Sequence, residues 1–183
     1  MKPIALVLFL VGSVGPLDAS ALTVEEAYAA IPHQRTVFDG KASGLSRAQV
    51  ASLQQLFALS DKGTVLRVEA MRAVRAANFQ EVRRAINDYR ALIGSVNALS
   101  VPAEIKPVQQ LVAQALQDHQ RFFETKLEQD RTLGNRDLAF TPEVHRASQK
   151  LRSAYDLLMR AFPNQPAVNK AAFYDYLCAL DFL

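Results

Sequence analysis

The chain has 183 residues, a formal net charge of +3 and 50% hydrophobic residues. So small a net charge does not indicate a nucleic-acid-binding protein. The single cysteine excludes an internal disulfide and the usual cysteine-rich metal sites. The sequence also lacks the G-x-S-x-G and H-E-x-x-H patterns and a glycine-rich phosphate loop. We therefore expect neither a nucleic-acid partner nor an enzyme.

The first 21 residues have the pattern of a secretory signal peptide. Lys2 precedes an apolar run at residues 4–14, and Ala19 and Ala21 flank a predicted cleavage site before Leu22. The run is too short to span a bilayer as a stable helix, so we expect a mature protein that is not membrane-spanning. The lack of disulfides and of N-x-S/T sequons favours a bacterial periplasm.

Residues 22–45 are predicted to form a short helix and an irregular loop ahead of a helical-bundle domain at residues 46–183. Thr23 and Glu26 fit a capping box, and Pro32 interrupts the helix that they begin. The loop at residues 31–44 then has no helical periodicity.

A second capping box, formed by Ser46 and Gln49, begins the first long helix. Because Asp61 and Lys62 are followed by Gly63, we expect a break or kink there, with two helices meeting near the glycine. The arginines that follow alternate with acids and are interpreted as a solvated, salt-bridged face; they are residues 67, 72, 75, 83, 84 and 90.

The remaining chain repeats the helical pattern. Asn78 begins a helix with bundle-like apolar spacing through Tyr89, and another runs from about residue 104 to 131. Thr141 and Pro142 open a further helix. No strand pattern of useful length occurs. The predicted fold is all-α: an up-and-down helical bundle of about four long helices, with a short N-terminal helix and an apolar C-terminal helix.

The C-terminal helix, from about residue 167, is apolar on nearly all sides. Such a helix is either covered by the others or free to contact a partner. We predict a contact surface, for oligomerisation or another protein, formed by Phe173, Tyr176, Leu177 and Leu180. Cys178 in this helix is either buried and inert or available for an intermolecular disulfide.

Two places are candidate ligand sites. The 31–44 loop combines an imidazole, a guanidinium, an aromatic ring and a carboxylate in His33, Arg35, Phe38 and Asp39. This loop either binds a ligand or is a linker fastened over the bundle. His119 is the second candidate, because it lies on the apolar stripe of its helix and should point into the bundle, where cofactors are held in such folds.

The sequence thus predicts a periplasmic, non-enzymatic binding protein whose partner is another protein or an envelope component. The alternative is a carrier of a small ligand or a haem-type cofactor in the bundle interior near His119. An inert core histidine is favoured over haem ligation, so no cofactor is expected.

Overall fold

The computed structural model describes residues 22–129 and 141–182. The predicted signal peptide at residues 1–21 lies outside this part of the chain, and so does the end of the helix predicted to run to about residue 131. The predicted all-α bundle is confirmed. The helices are α1 (Val24–Ala29), α2 (Arg47–Arg75), α3 (Phe79–Ala98), α4 (Lys106–Gln129), α5 (Pro142–Ala161) and α6 (Ala167–Cys178).

The four long helices pack in the order of the chain. α2 contacts α3, α3 contacts α4, and α4 contacts α5. The short α6 contacts both α5 and α2, and thereby covers the apolar side that these two helices would otherwise expose. None of the described helices combines the length and the apolarity needed to cross a membrane.

The helix starts follow from local capping. The Thr23 and Ser46 side chains accept hydrogen bonds from Glu26 N and Gln49 N, and both capping boxes are complete. The hydroxyl of Thr141 accepts from the third residue of α5 in the same way. These predicted helix starts are confirmed because they depend on bonds between residues three apart.

The predicted break near Gly63 is wrong, since α2 continues through it for 29 residues. A Cβ at Gly63 would lie 2.6 Å from Leu180 Cδ2 and 3.2 Å from Leu116 Cδ2. The glycine therefore stands where neighbouring side chains approach the α2 backbone most closely. It serves packing and does not end the helix.

The predicted contact surface on α6 is also corrected. Phe173 and Leu180 are fully buried, and Leu177 and Tyr176 are exposed by only 1% and 5%. The Tyr176 ring stacks on Phe57 of α2 with 4.5 Å between the ring centroids. These four side chains are core residues of their own bundle.

Candidate functional site

The 31–44 loop is fastened to α2 by Arg35. Its Nη2 lies 2.7 Å from Asp61 Oδ2, and its Nε donates to the same carboxylate. The hydroxyl of Tyr28 donates to Asp61 Oδ1 at 3.1 Å. Asp61 is buried, so these donors compensate a charge that would otherwise be costly inside the protein. The guanidinium of the predicted loop site is thus already occupied.

The other end of the loop is held by α6. Asp39 accepts hydrogen bonds from the backbone of the following turn, and its own N–H donates to Asn169 Oδ1 at 2.8 Å. Phe38 is buried against Phe57 and Phe173, with ring centroids 5.7 and 5.9 Å away. Arg35, Phe38 and Asp39 therefore have separate structural contacts. Phe38 and Asp39 also line one open groove, whose lining does not include Arg35.

His33 lines a cleft of about 240 Å³ together with Cys178 and Tyr174, which we name the His33 cleft. The Nε2 atom of His33 is buried and has no hydrogen-bond partner within the described residues. Burial raises the pKa of the half-buried Cys178 thiol, so this thiol is protonated at neutral pH. A protonated thiol is a poor nucleophile.

His119 lies fully inside the bundle, as its position on the apolar stripe predicts. Burial, helped by the charge of Arg67, lowers the pKa of His119 to about 3, so the ring is neutral at physiological pH. Neither ring nitrogen has a hydrogen-bond partner among the described residues. A neutral imidazole carries one donor and one acceptor, and both are left unused.

Two further side chains bring unused polar atoms to the same place. Arg67 of α2 is only 7% exposed, and its Nε and Nη2 have no hydrogen-bond partner within residues 22–129 and 141–182. The hydroxyl of Tyr89, on α3, is likewise buried and unpartnered in that part of the chain. The ring centroids of Tyr89 and His119 are 6.0 Å apart. We call Arg67, Tyr89 and His119 the Arg67 cluster.

Phe182 lies against this cluster just beyond α6. Its ring centroid is 4.6 Å from that of His119 and 5.6 Å from Arg67 Cζ. The preceding residue, Asp181, accepts a hydrogen bond from Ser148 and lines the His33 cleft. The chain from α6 to Phe182 therefore separates the cleft from the Arg67 cluster.

Arg67 differs from the two buried carboxylates in how its charge is compensated. Asp61 is held by Arg35, and Asp118 is contacted by Lys150 and by Arg146 Nε at 3.3 Å. For Arg67, burial lowers the pKa of the guanidinium, and the nearby Asp181 carboxylate opposes this only partly. A buried charge without full compensation is unfavourable, and such exceptions call for an explanation.

The chemistry of the Arg67 cluster is that of an anion or polar-group site. Guanidinium and phenol groups donate hydrogen bonds, and a neutral imidazole adds a donor and an acceptor. The Phe182 and Tyr89 rings pack directly against His119. Among the described residues, no group of three or more histidine, cysteine or acidic side chains could hold a metal ion.

A third feature is an open groove of about 710 Å³ between the loop and α2, which we name the Val37 groove. Val37 is 63% exposed and Val168 is 44% exposed, and both line it beside the half-buried Leu45 and Val50. Large apolar side chains on the surface of a protein are ordinary when single, but these lie together.

Sequence reasoning missed Arg67 as an interior residue. It follows Ser60 and Thr64 at helical spacing on the buried side of α2. The assumed break at Gly63 hid this continuity and placed Arg67 among the solvated arginines. Comparisons of the chain with protein-family models, curated proteins and solved structures give no match.

Proposed function

We propose that the protein is an exported, non-enzymatic binding protein that holds a small molecule in the interior of its bundle at the Arg67 cluster. The observation that supports this most directly is the set of five buried polar atoms without hydrogen-bond partners within the described residues. They belong to three side chains from three different helices. Buried polar groups in folded proteins are nearly always hydrogen-bonded, so their convergence indicates a missing partner.

Energetics support a bound molecule over an inert core. A buried hydrogen-bonding group without a partner costs about 1–3 kcal/mol, and a charged group costs more. If these three positions were only part of an inert core, apolar residues at some of them would avoid this cost. A ligand that accepts from Arg67 and Tyr89 would remove it.

The test is a native mass spectrum of the protein isolated from its export compartment without refolding. We expect a mass above that of the polypeptide, with the polypeptide beginning at Leu22 if the signal peptide is removed as predicted. The excess mass should disappear in the R67M variant, because the buried guanidinium is lost. An absorption spectrum of the same sample would reveal a haem through its Soret band, which would contradict the expectation that no cofactor is bound.

The matched control is R75M, which removes an exposed arginine from the last turn of the same helix. This variant should keep the excess mass. A bare polypeptide in the wild type, or an excess mass that survives in R67M, would contradict the proposed site.

A second candidate function, contact with another protein or an envelope component, is supported by the Val37 groove. The exposed Val37 and Val168 flank apolar surface there. A photo-crosslinking residue at position 37 should give a defined adduct in the exporting cell. The same photo-crosslinking residue in place of Arg83, which is exposed on α3, should give no defined adduct. Equal labelling from both positions would show that the groove has no specific partner.

A further inference from the structure

We infer that the ligand of the Arg67 cluster is a small carboxylate with an apolar body, and that this body binds in the place of the Phe182 ring. The inference rests on the proposed function and adds the chemical class of the ligand. It depends on three structural features: the free edge of Arg67, the aromatic walls around Phe182, and the position of Phe182 outside the helices.

The free edge of Arg67 matches a carboxylate. Nε and Nη2 are the two nitrogens without partners within the described residues, and their N–H bonds point from one edge of the guanidinium. Two parallel N–H bonds are the arrangement that a carboxylate accepts in a bidentate pair. In the same protein, the same edge of Arg35 faces the Asp61 carboxylate: Nη2 donates to Oδ2, and Nε is shared between Oδ1 and Oδ2.

The neighbours of Arg67 add to this preference. The Tyr89 hydroxyl is a further donor, and neutral His119 offers one N–H. The Asp181 carboxylate acts on Arg67, and its negative charge opposes a second carboxylate. However, its side chain accepts from Ser148, on the side of the His33 cleft. Donors therefore predominate at the Arg67 cluster itself.

The surroundings of Phe182 determine the size and apolarity of the ligand's body. The Phe182 ring centroid lies 5.0 Å from that of Phe122 and 5.9 Å from that of Phe123. Together with His119 these rings form apolar walls around a space that one phenyl group fills. Phe182 is half-buried and lies beyond the end of α6. It can therefore leave this space without moving a helix, and a ligand of similar size can enter.

The experiment uses the F182A variant of the mature protein, titrated calorimetrically with benzoate and with benzamide at pH 7. Both probes carry a ring of the size removed, but only benzoate carries the negative charge. Benzoate should bind about 10- to 100-fold more tightly than benzamide, the range expected for hydrogen bonds to a buried charge. Wild-type protein should bind benzoate more weakly, because Phe182 competes for the same space.

Two variants serve as controls. The double variant R67M/F182A should lose the preference for benzoate while still admitting a ring. The F162A variant removes another buried ring, one that packs near Phe173 instead of Arg67, and should show no preference. If F182A fails to fold by circular dichroism, thermal unfolding of wild-type protein with each probe replaces the titration, and benzoate should stabilise it more.

Equal affinities for the two probes, no binding of benzoate, or a preference that persists without Arg67 would overturn the inference. These outcomes are separate from a failure of the proposed function. A neutral molecule in the native mass spectrum would keep the function and overturn the carboxylate class. A protein that carries no molecule and is not stabilised by either probe would overturn both.

Discussion

Arg35 and Asp61 join the N-terminal loop to the middle of α2 through an ion pair whose partners differ in burial. Nη2 of Arg35 lies 2.7 Å from Oδ2 of Asp61, while their side chains are 31% and 8% exposed. The arginine can return to water when the pair is lost, but the aspartate cannot. The two halves of the pair should therefore contribute unequally to stability.

We predict that R35M lowers the free energy of unfolding by about 2 kcal/mol, since it leaves the Asp61 charge buried with Tyr28 as its one remaining donor among the described residues. D61N should cost less, about 1 kcal/mol, because it removes that charge and keeps an oxygen for the tyrosine. Urea unfolding of both variants measures the difference.

The control for this pair is R84M, which breaks the exposed contact between Arg84 and Glu81 on α3. Exposed ion pairs contribute little, so the free energy of unfolding should change by less than about 0.5 kcal/mol. If D61N proved more damaging than R35M, the burial argument would be wrong.

The helix starts could be predicted because capping involves side chains and N–H groups three residues apart, as at Ser46 and Gln49. The role of Gly63 could not, because it depends on Leu180, more than a hundred residues away in the sequence. The same limit applies to the candidate site. His119 was predicted to face inward from its own helix, but its neighbours Arg67 and Phe182 come from other elements.

Replacing Gly63 by alanine tests whether this glycine serves packing. Alanine favours a helix by about 1 kcal/mol over glycine, so a helix-breaking role would make G63A stabilising. We expect the opposite, a loss of about 1–3 kcal/mol, because the new methyl group must displace Leu180 and Leu116. Denaturant unfolding of purified G63A gives the sign.

Gly94 provides the matched control for this substitution. It lies in α3, and a Cβ there would meet no heavy atom within 4 Å. G94A should therefore gain about 0.5–1 kcal/mol from helix propensity alone. A stabilising effect of alanine at both positions would refute the packing role of Gly63.

The turn between α2 and α3 contains a left-handed alanine, Ala77, with φ of 51°. This conformation costs an alanine about 1 kcal/mol or more and costs a glycine almost nothing. A77G should therefore raise the free energy of unfolding by up to about 1 kcal/mol, measured by urea unfolding. Ala76 has φ of −83°, so A76G should be destabilising and serves as the control.

The buried ring of His119 should make the protein less stable in mild acid. An unfolded histidine binds a proton below pH about 6.5, whereas burial lowers the pKa of His119 in the native protein to about 3. Between these two pKa values the unfolded state holds one more proton than the native state. This group therefore lowers the free energy of unfolding by about 1.4 kcal/mol for each unit by which the pH is lowered. The H119L variant lacks this imidazole, so its free energy of unfolding should fall less steeply as the pH is lowered from 6 to 4. H145Q, at an exposed position on α5, keeps the buried ring and should follow the wild type. If the free energy of unfolding fell equally with pH in wild type and H119L, the ring of His119 would not be held neutral.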